Sequence, residues 1–206
     1  MRVLPLALIP LLVTATGARA ATLGEARVGF SAERILVIDG HSYTGRMWQM
    51  PGVQRHEQEL PGFRPVFILH ADSAVGDVVL PQLHTIVEFA MPRALSILAS
   101  PALLQKPVGQ EVVNGIATTR YAVDATAPEG HAAGSLWLSR DGIPIKCEGR
   151  FETPKGKVST IRWELRHLQL GPQNAALFEM PNGFTKLPPE AIAPLLGMKL
   201  APAKAQ

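Results

Sequence analysis

The chain has 206 residues, 47% of them hydrophobic and 18% charged, with a formal net charge of +3. Once Arg2 and Arg19 are set aside with the N-terminal segment described below, 18 basic residues stand against 17 acidic ones. A net charge of +1 leaves no basic stripe, which argues against nucleic acid or a strongly anionic membrane as a partner.

The first twenty residues (1–20) predict a cleaved signal peptide. Arg2 forms a short basic region, Val3 to Ala15 is apolar, and Ala18-Arg19-Ala20 has the small-x-small pattern of a cleavage site. The apolar run is too short to span a bilayer, and no later run reaches spanning length. We therefore expect a periplasmic or secreted protein of 186 residues. Because Ala21 rather than a cysteine would come first, we expect no lipid anchor.

The mature chain predicts short strands separated by glycine-bearing turns, as in an antiparallel meander. The predicted strands are Ala26–Ser31, Arg34–Ile38, His41–Met50, Gln54–Leu60, Arg64–His70, Gly76–Leu80, Thr85–Ala90, Gln110–Val113, Thr118–Ala125, Ala132–Arg140, Ile143–Glu152 and Lys157–Leu170.

One segment, Met91–Leu104, breaks the strand pattern because its apolar residues fall at helical spacing. It could pack on the sheet and complete a core, or it could form a movable lid over a hydrophobic cavity. A second, weaker helix is predicted from Pro189 to Met198, and the chain end has the composition of a frayed tail.

The hairpin from Gly134 to Phe151 allows a prediction of register. A two-residue type I′ turn at Asp141-Gly142 would pair Arg140 with Ile143. An apolar face would then carry the pairs Leu138–Ile145, Leu136–Cys147, Gly134–Gly149 and Ala132–Phe151, and a polar face Ser139–Pro144, Trp137–Lys146, Ser135–Glu148 and Ala133–Arg150. The facing glycines would leave room for a ligand chain or a packed helix, or would permit a sharp curl of the sheet.

The chain offers few candidates for catalysis. Cys147, the only cysteine, falls on the apolar face of the hairpin and is predicted to be buried packing. The segment GHSYTG around Ser42 resembles a hydrolase elbow, but Thr44 replaces the second glycine and strands are predicted on both sides. The six histidines lack the spacing of a metal site. We expect no catalytic residue, no metal and no cofactor.

Four short motifs follow one another along the mature chain. They are GRMWQMPGVQRHE (Gly45–Glu57), ADSAVGDVVLPQLHTIVEF (Ala71–Phe89), the hairpin and long strand from Leu138 to Gly171, and ALFEMPNGFTKL (Ala176–Leu187). This series resembles the periplasmic outer-membrane lipoprotein carrier (LolA-like) superfamily. Met50 stands where true carriers tend to have a basic residue, so the chain would be an outlying branch.

The resemblance implies an α+β fold: a strongly curved antiparallel β-sheet, or half-barrel, covered on its concave side by one or more short helices. It implies a single domain over residues 21–187 and a C-terminal extension over 188–206. It also implies a hydrophobic cavity that receives acyl chains. The residues expected to line the cavity are Trp48, Leu95, Leu98, Gly134, Leu136, Leu138, Ile145, Gly149, Phe151 and Trp163.

The expected function is that of a monomeric, non-enzymatic periplasmic carrier or binding protein for a lipid, a lipoprotein acyl chain or another apolar ligand. The alternative is an envelope structural or sensor module that binds a protein partner through the same fold. An exported serine hydrolase centred on Ser42 is the third possibility.

Overall fold

The structure is a computed structural model, described here for residues 28–60, 62–70, 75–90, 107–127 and 130–192. The predicted signal peptide and the predicted helix at Met91–Leu104, with Leu95 and Leu98, lie outside these ranges. Of the helix predicted to begin at Pro189, the described part is Pro189–Ile192, which is α-helical.

Within the described ranges, twelve strands form one sheet. They are β1 (Phe30–Ile38), β2 (His41–Met50), β3 (Val53–Gln58), β4 (Val66–His70), β5 (Val75–Leu80), β6 (Thr85–Ala90), β7 (Pro107–Val113), β8 (Ile116–Ala127), β9 (Gly130–Ser139), β10 (Pro144–Glu152), β11 (Val158–Leu170) and β12 (Thr185–Leu187). Their order is β12-β6-β5-β4-β3-β2-β1-β11-β10-β9-β8-β7. Two antiparallel meanders, β1–β6 and β7–β11, thus join where β1 pairs with β11, and the short β12 runs parallel to β6.

The predicted antiparallel meander is confirmed for this part of the chain, but its start differs from the prediction. Two strands were expected before residue 39, but β1 is a single strand from Phe30 to Ile38. The irregularity lies in its partner: Glu33 pairs with Arg166 and Ser31 with Gln169, so β11 has one extra residue. His167, with φ of 51°, lies in this bulge.

The sheet is open and strongly curved. Asn114, in the turn between β7 and β8, donates a hydrogen bond from Nδ2 to the carbonyl oxygen of Leu165 in β11, at 2.8 Å. In a flat sheet, β8 and β11 would lie about 14 Å apart, because neighbouring strands are separated by about 4.8 Å. The β7–β8 hairpin therefore curls back toward β11. The predicted covering helix falls outside the described residues.

Most of the main core lies on the face of the sheet to which Leu36, Leu136 and Trp163 point, which we call the concave face. Trp137 is an exception, since it pairs with Lys146 on the polar face of the β9–β10 hairpin. The buried members of the main core are Phe30, Ala32, Leu36, Met47, Val113, Val123, Leu136, Trp137, Leu138, Ile143, Ile145, Cys147, Trp163 and Leu165. Strand alternation explains most of this set, because every second residue of β1 and β9–β11 points to the same face.

The glycine pair predicted at Gly134 and Gly149 does face across β9 and β10. A Cβ on Gly134 would collide with the backbone carbonyl of Glu148, and one on Gly149 would lie 2.9 Å from the carbonyl oxygen of Ala133. Because the obstructing atoms are backbone, the glycines let the two strands approach closely. Of the three alternatives, this geometry favours the sharp curl of the sheet.

The predicted two-residue turn at Asp141-Gly142 is wrong. The Ser139 N–H donates to the Ile143 carbonyl at 2.8 Å, and the Gly142 N–H donates to the Ser139 carbonyl at 3.0 Å. These bonds close a three-residue loop with Gly142 at φ of 78°, a common hairpin connection when a glycine takes the left-handed position.

The longer loop changes the register only near the turn. Leu138 pairs with Pro144, so the predicted pairs Leu138–Ile145 and Ser139–Pro144 are wrong. Ile145 is then an extra residue in β10, and the predicted register returns at Trp137–Lys146. The two one-residue shifts cancel, so the apolar and polar faces of the remaining hairpin are as predicted.

The chain after β11 packs on the outer, opposite face of the sheet. Met180 and Phe184 lie against a cluster on β4–β6 formed by Val66, Ile68, Val79 and Ile86. Arg55 in β3 fixes this segment by donating from Nη1 to the carbonyl oxygen of Leu177, at 2.8 Å. The β4–β6 half of the sheet is therefore covered from outside.

Candidate binding site on the concave face

Several residues predicted to line a cavity are brought together by the structure. Leu136 faces Cys147, which faces Trp163, across β9, β10 and β11. With Leu138 and Ile145, they are buried members of the main core. Phe151 is half-buried further along the same face, beyond the Gly134–Gly149 pair. Contact between these residues and a ligand stays a prediction.

Trp48 is not brought together with the other predicted lining residues. Met47 and Gln49, its neighbours in β2, are buried on the concave side, so alternation turns Trp48 to the outer face. There the guanidinium carbons of Arg46 and Arg55 lie 5.7 and 6.0 Å from its ring centroid. These distances are those of cation–π contacts on the outer face.

A group of polar side chains crosses the concave face on β1, β2 and β3. We call Arg34, Gln49, Gln54, His56 and Gln58 the polar belt. Arg34 is 6% exposed, Gln49 1%, His56 2% and Gln58 3%, whereas Gln54 is half-buried. Polar side chains so deeply buried need hydrogen-bond partners, because an unpaired group loses its bonds to water.

The hydrogen bonds of the belt form a chain with a defined direction. Arg34 Nη1 lies 3.2 Å from His56 Nδ1, and because a guanidinium can only donate, the imidazole nitrogen must accept. His56 Nε2 then carries the hydrogen and donates to Gln54 Oε1 at 3.0 Å. Gln54 Nε2 in turn donates to Gln49 Oε1 at 3.2 Å. The chain requires a neutral His56.

Arg34 reaches across a whole strand at the position of a glycine. Arg34 pairs with Gly45 in β2, and Gly45 pairs with Gln58 in β3. The guanidinium passes over the glycine, and Nη2 donates to Gln58 Oε1 at 2.6 Å. Gln58 Nε2 donates to the Thr44 carbonyl at 2.8 Å, which fixes the orientation of the amide. A Cβ on Gly45 would collide with the Glu57 carbonyl oxygen.

The belt is buried without a negative charge beside its cation. Among the described residues, no carboxylate lies within ion-pair distance of Arg34, whose acceptors are a neutral imidazole and a neutral amide. Burial lowers the pKa of the Arg34 guanidinium to about 10. Burial, and then the charge of Arg34, lower the pKa of His56 well below its usual value.

On the other side of the belt from the main core lies a second apolar surface, the phenyl patch. It consists of Phe63, Phe67, Leu69, Val78, Val87, Phe89 and Leu187. Phe67 faces His56 across β3 and β4, which places the patch on the concave side. The Phe67 and Phe89 rings meet edge to face at 6.4 Å, and both remain half-buried. The concave face thus has a closed core, a buried polar belt and a partly open apolar patch.

Of the residues considered above for catalysis, Ser42 lies away from this arrangement and Cys147 is buried inside the main core. Ser42 is exposed in the antiparallel strand β2 opposite Val37, which is not the strand–turn–helix setting of a hydrolase elbow. Burial raises the pKa of the Cys147 thiol to about 12. In the described part of the chain, no three His, Cys, Asp or Glu residues form a group that could hold a metal. The same part contains no helix long and apolar enough to cross a membrane.

Comparison with known proteins bears on the fold. No protein-family model matches the chain, and no curated protein matches it significantly. Similar solved structures include an uncharacterized conserved protein from Thermus thermophilus, with 12% identity and a TM-score of 0.51 over 78% of this chain and 90% of that one. MucB from the Pseudomonas aeruginosa MucA/MucB complex has 18% identity and a TM-score of 0.47, over 76% of this chain and 57% of that one.

A LolA superfamily protein, NE2245 from Nitrosomonas europaea, is also among the similar structures, with 9% identity and a TM-score of 0.42 over 77% of this chain and 93% of that one. A LolA superfamily protein is thus among the structural neighbours, in line with the predicted resemblance, and the likeness bears on the fold alone because the identities are so low. The chain spans little more than half of the MucB chains that it matches.

Sequence reasoning missed the polar belt. Arg34 and Leu36 point to the same side of β1, and His56 and Gln58 to the same side of β3, as strand alternation requires. The available signal was a charged residue on the apolar side of β1. It could be noticed only if residues 30–38 were taken as one strand rather than two.

Proposed function

We propose that this protein is a non-enzymatic periplasmic binding protein that holds an apolar ligand, such as an acyl chain, on the concave face of its sheet. The phenyl patch carries this proposal. Phe67 and Phe89 leave part of their rings uncovered on a concave surface, next to a small number of buried polar groups. Ligand sites of this kind are mostly apolar and have a few fixed polar groups.

The energetic basis is the burial of hydrocarbon. Each methylene removed from water contributes about 0.8 kcal/mol, so an acyl chain laid along the patch gains affinity from contact with phenyl and aliphatic side chains alone. The patch extends from β4 to β12. The periplasmic location rests on the signal-peptide pattern of residues 1–20.

The experiment is native mass spectrometry of the full chain purified from the periplasm, followed by titration with dodecanol. We expect co-purifying lipid and saturable dodecanol binding. Phe89→Ala, which opens the patch, should weaken dodecanol binding about tenfold. Removal of the phenyl ring takes away apolar contact with the ligand equivalent to several methylene groups. Phe184→Ala, which removes a half-buried phenyl ring from the outer face, is the matched control. No binding by the unmodified protein would refute the proposal.

A second candidate function, binding of an extended segment of a partner protein, is favoured by the edge strand β7. In the described part of the chain, β7 pairs only with β8, and Val108 and Val112 are 48% and 68% exposed. An unpaired edge can accept a further strand. A photocrosslinking residue at position 112, compared with one at position 46 on the outer face, tests this. A discrete adduct from position 112 alone supports the second function, and identical products from both positions count against it.

A further inference from the structure

We infer that the polar belt is a head-group site for an anionic amphiphile, that is, an aliphatic chain that ends in an oxyanion such as a carboxylate or a phosphate. The oxyanion would bind Arg34, and the chain would lie on the phenyl patch. This inference rests on the proposed function and specifies the chemical class of its ligand.

The first argument is the charge balance of the belt. Arg34 is almost fully buried, and among the described residues it has only neutral acceptors. Buried charges in proteins are normally paired, because desolvation of an ion is costly and neutral acceptors compensate only part of that cost. A ligand oxyanion would complete the pair. Burial of Arg34 also lowers the pKa of its guanidinium, which a bound anion would oppose.

The second argument is the geometry of the guanidinium. It has five N–H groups in a planar fork, and the bonds to His56 and Gln58 use one on each terminal nitrogen. Among the described residues, the remaining N–H groups have no acceptor. A carboxylate or phosphate presents two oxygens at the spacing of this fork, which makes such pairs both strong and specific. The hydrogen bond from Gln58 Nε2 to the Thr44 carbonyl fixes the side-chain amide whose oxygen accepts from Arg34.

The third argument is where Arg34 lies relative to the apolar surfaces. A row of concave-facing residues runs from Met47 through His56, Phe67 and Val78 to Val87, one residue per strand from β2 to β6. Arg34 contacts this row through His56. At about 4.8 Å per strand, Phe67, Val78 and Val87 form an apolar surface that begins one strand from His56 and ends about 14 Å from it. A charged head and an aliphatic chain match these two neighbouring surfaces.

The test compares three probes on the full mature chain by calorimetric titration: laurate, dodecanol and acetate. We expect laurate to bind about tenfold more tightly than dodecanol, because a charge-assisted pair is added to the same chain contacts. Dodecyl phosphate should show the same preference, since the site recognises the oxyanion, and acetate should show no measurable binding because it lacks the chain.

Variants of Arg34 test whether this residue causes the preference for laurate over dodecanol. Arg34→Gln should abolish the preference for laurate and leave dodecanol binding in place, whereas Arg34→Lys should retain part of it. Arg46→Gln, which removes a guanidinium from the outer face, is the matched control and should keep the preference. If Arg34→Gln does not fold, the unmodified protein and Arg34→Lys still decide the question.

Three results would overturn the inference. Equal affinity of the unmodified protein for laurate and dodecanol would refute the head-group site but leave the proposed function intact. A preference for laurate that survives Arg34→Gln would place the anion elsewhere. Failure of both laurate and dodecanol to bind would refute the proposed function itself, and the inference with it.

Discussion

The Nδ1 atom of His56 lies 3.2 Å from Nη1 of Arg34, in a part of the sheet where both side chains are almost fully buried. This contact requires the imidazole to be neutral, since a protonated ring would place two cations side by side. The ring's cross-strand neighbours, Met47 and Phe67, are apolar, and Arg34 is the charged group that faces it among the described residues.

The first prediction is that His56 makes stability fall as the pH decreases. Its pKa in the folded protein is well below the unfolded value of about 6.5. Below that pH the unfolded chain binds a proton that the folded chain does not, so the free energy of unfolding decreases by up to about 1.4 kcal/mol per pH unit. The loss continues until the pH reaches the folded pKa.

Urea unfolding between pH 7.5 and 5 measures this effect. His56→Gln should flatten the dependence of unfolding free energy on pH relative to the unmodified protein. His41→Gln, a change at an exposed position, is the control. The prediction is wrong if the difference between the unmodified protein and His56→Gln is the same at every pH.

The second prediction concerns Gly45, over which Arg34 crosses β2. Gly45→Ala would drive a methyl group into the backbone carbonyl of Glu57, so the two strands must separate. We expect a loss of about 1–3 kcal/mol in unfolding free energy, the usual cost of overpacking. Gly109→Ala in the edge strand β7, where an added Cβ meets nothing within 4 Å, should change stability by less than about 0.5 kcal/mol. Equal effects of the two changes would contradict the close approach of β2 and β3 at Gly45.

The third prediction tests the curvature of the sheet through Asn114. Asn114→Gly keeps the left-handed turn, which has φ of 50° at this residue, and removes only the hydrogen bond to the Leu165 carbonyl. The expected loss is about 1 kcal/mol. Asn114→Asp should cost more, because a carboxylate oxygen would then face a carbonyl oxygen. Thermal or urea denaturation measures the change in unfolding free energy. Unchanged stability in both variants would show that other contacts hold the hairpin.

The fourth prediction is that Cys147 is unreactive in the folded protein. Its thiol is buried between Leu136 and Trp163, and burial raises its pKa to about 12. Because the thiolate is the reactive form, an aromatic disulfide reagent at pH 8 should label the native protein only through unfolding. Labelling should become rapid in denaturing urea. A native rate close to the denatured rate would place the thiol at the surface.

Much of the sheet could be predicted from sequence because its signals are local. The bounds of β2 and β6 match those predicted, and Asp39-Gly40 and Asn114-Gly115 form the expected turns with both residues at positive φ. The hairpin faces from Trp137–Lys146 onward are also as predicted. In each case a turn and an alternation of apolar and polar residues lie within one short stretch.

The candidate site could not be predicted in the same way because its members come together through long-range pairing. Arg34 and His56 are on strands separated by all of β2, and nothing near either residue indicates the other. Trp48 was expected to line the cavity because of the motif that contains it. The alternation of β2 instead turns its ring to the outer face. The faces of these strands depend on the register of β1 with β2 and β11.

The junction of β1 and β11 also has a consequence for the order of assembly. Phe30 pairs with Leu170 and Ile38 with Ile161, so the seam between the two meanders joins segments more than 120 positions apart. Pairing of such distant segments is slow, because a large loop must close before any contact compensates for the lost chain entropy. A fragment that ends before Val158 would lack the strand that β1 requires and could not close the main core. Strand β11, the last long strand to be synthesised, therefore supplies the pairing that β1, the first strand, requires.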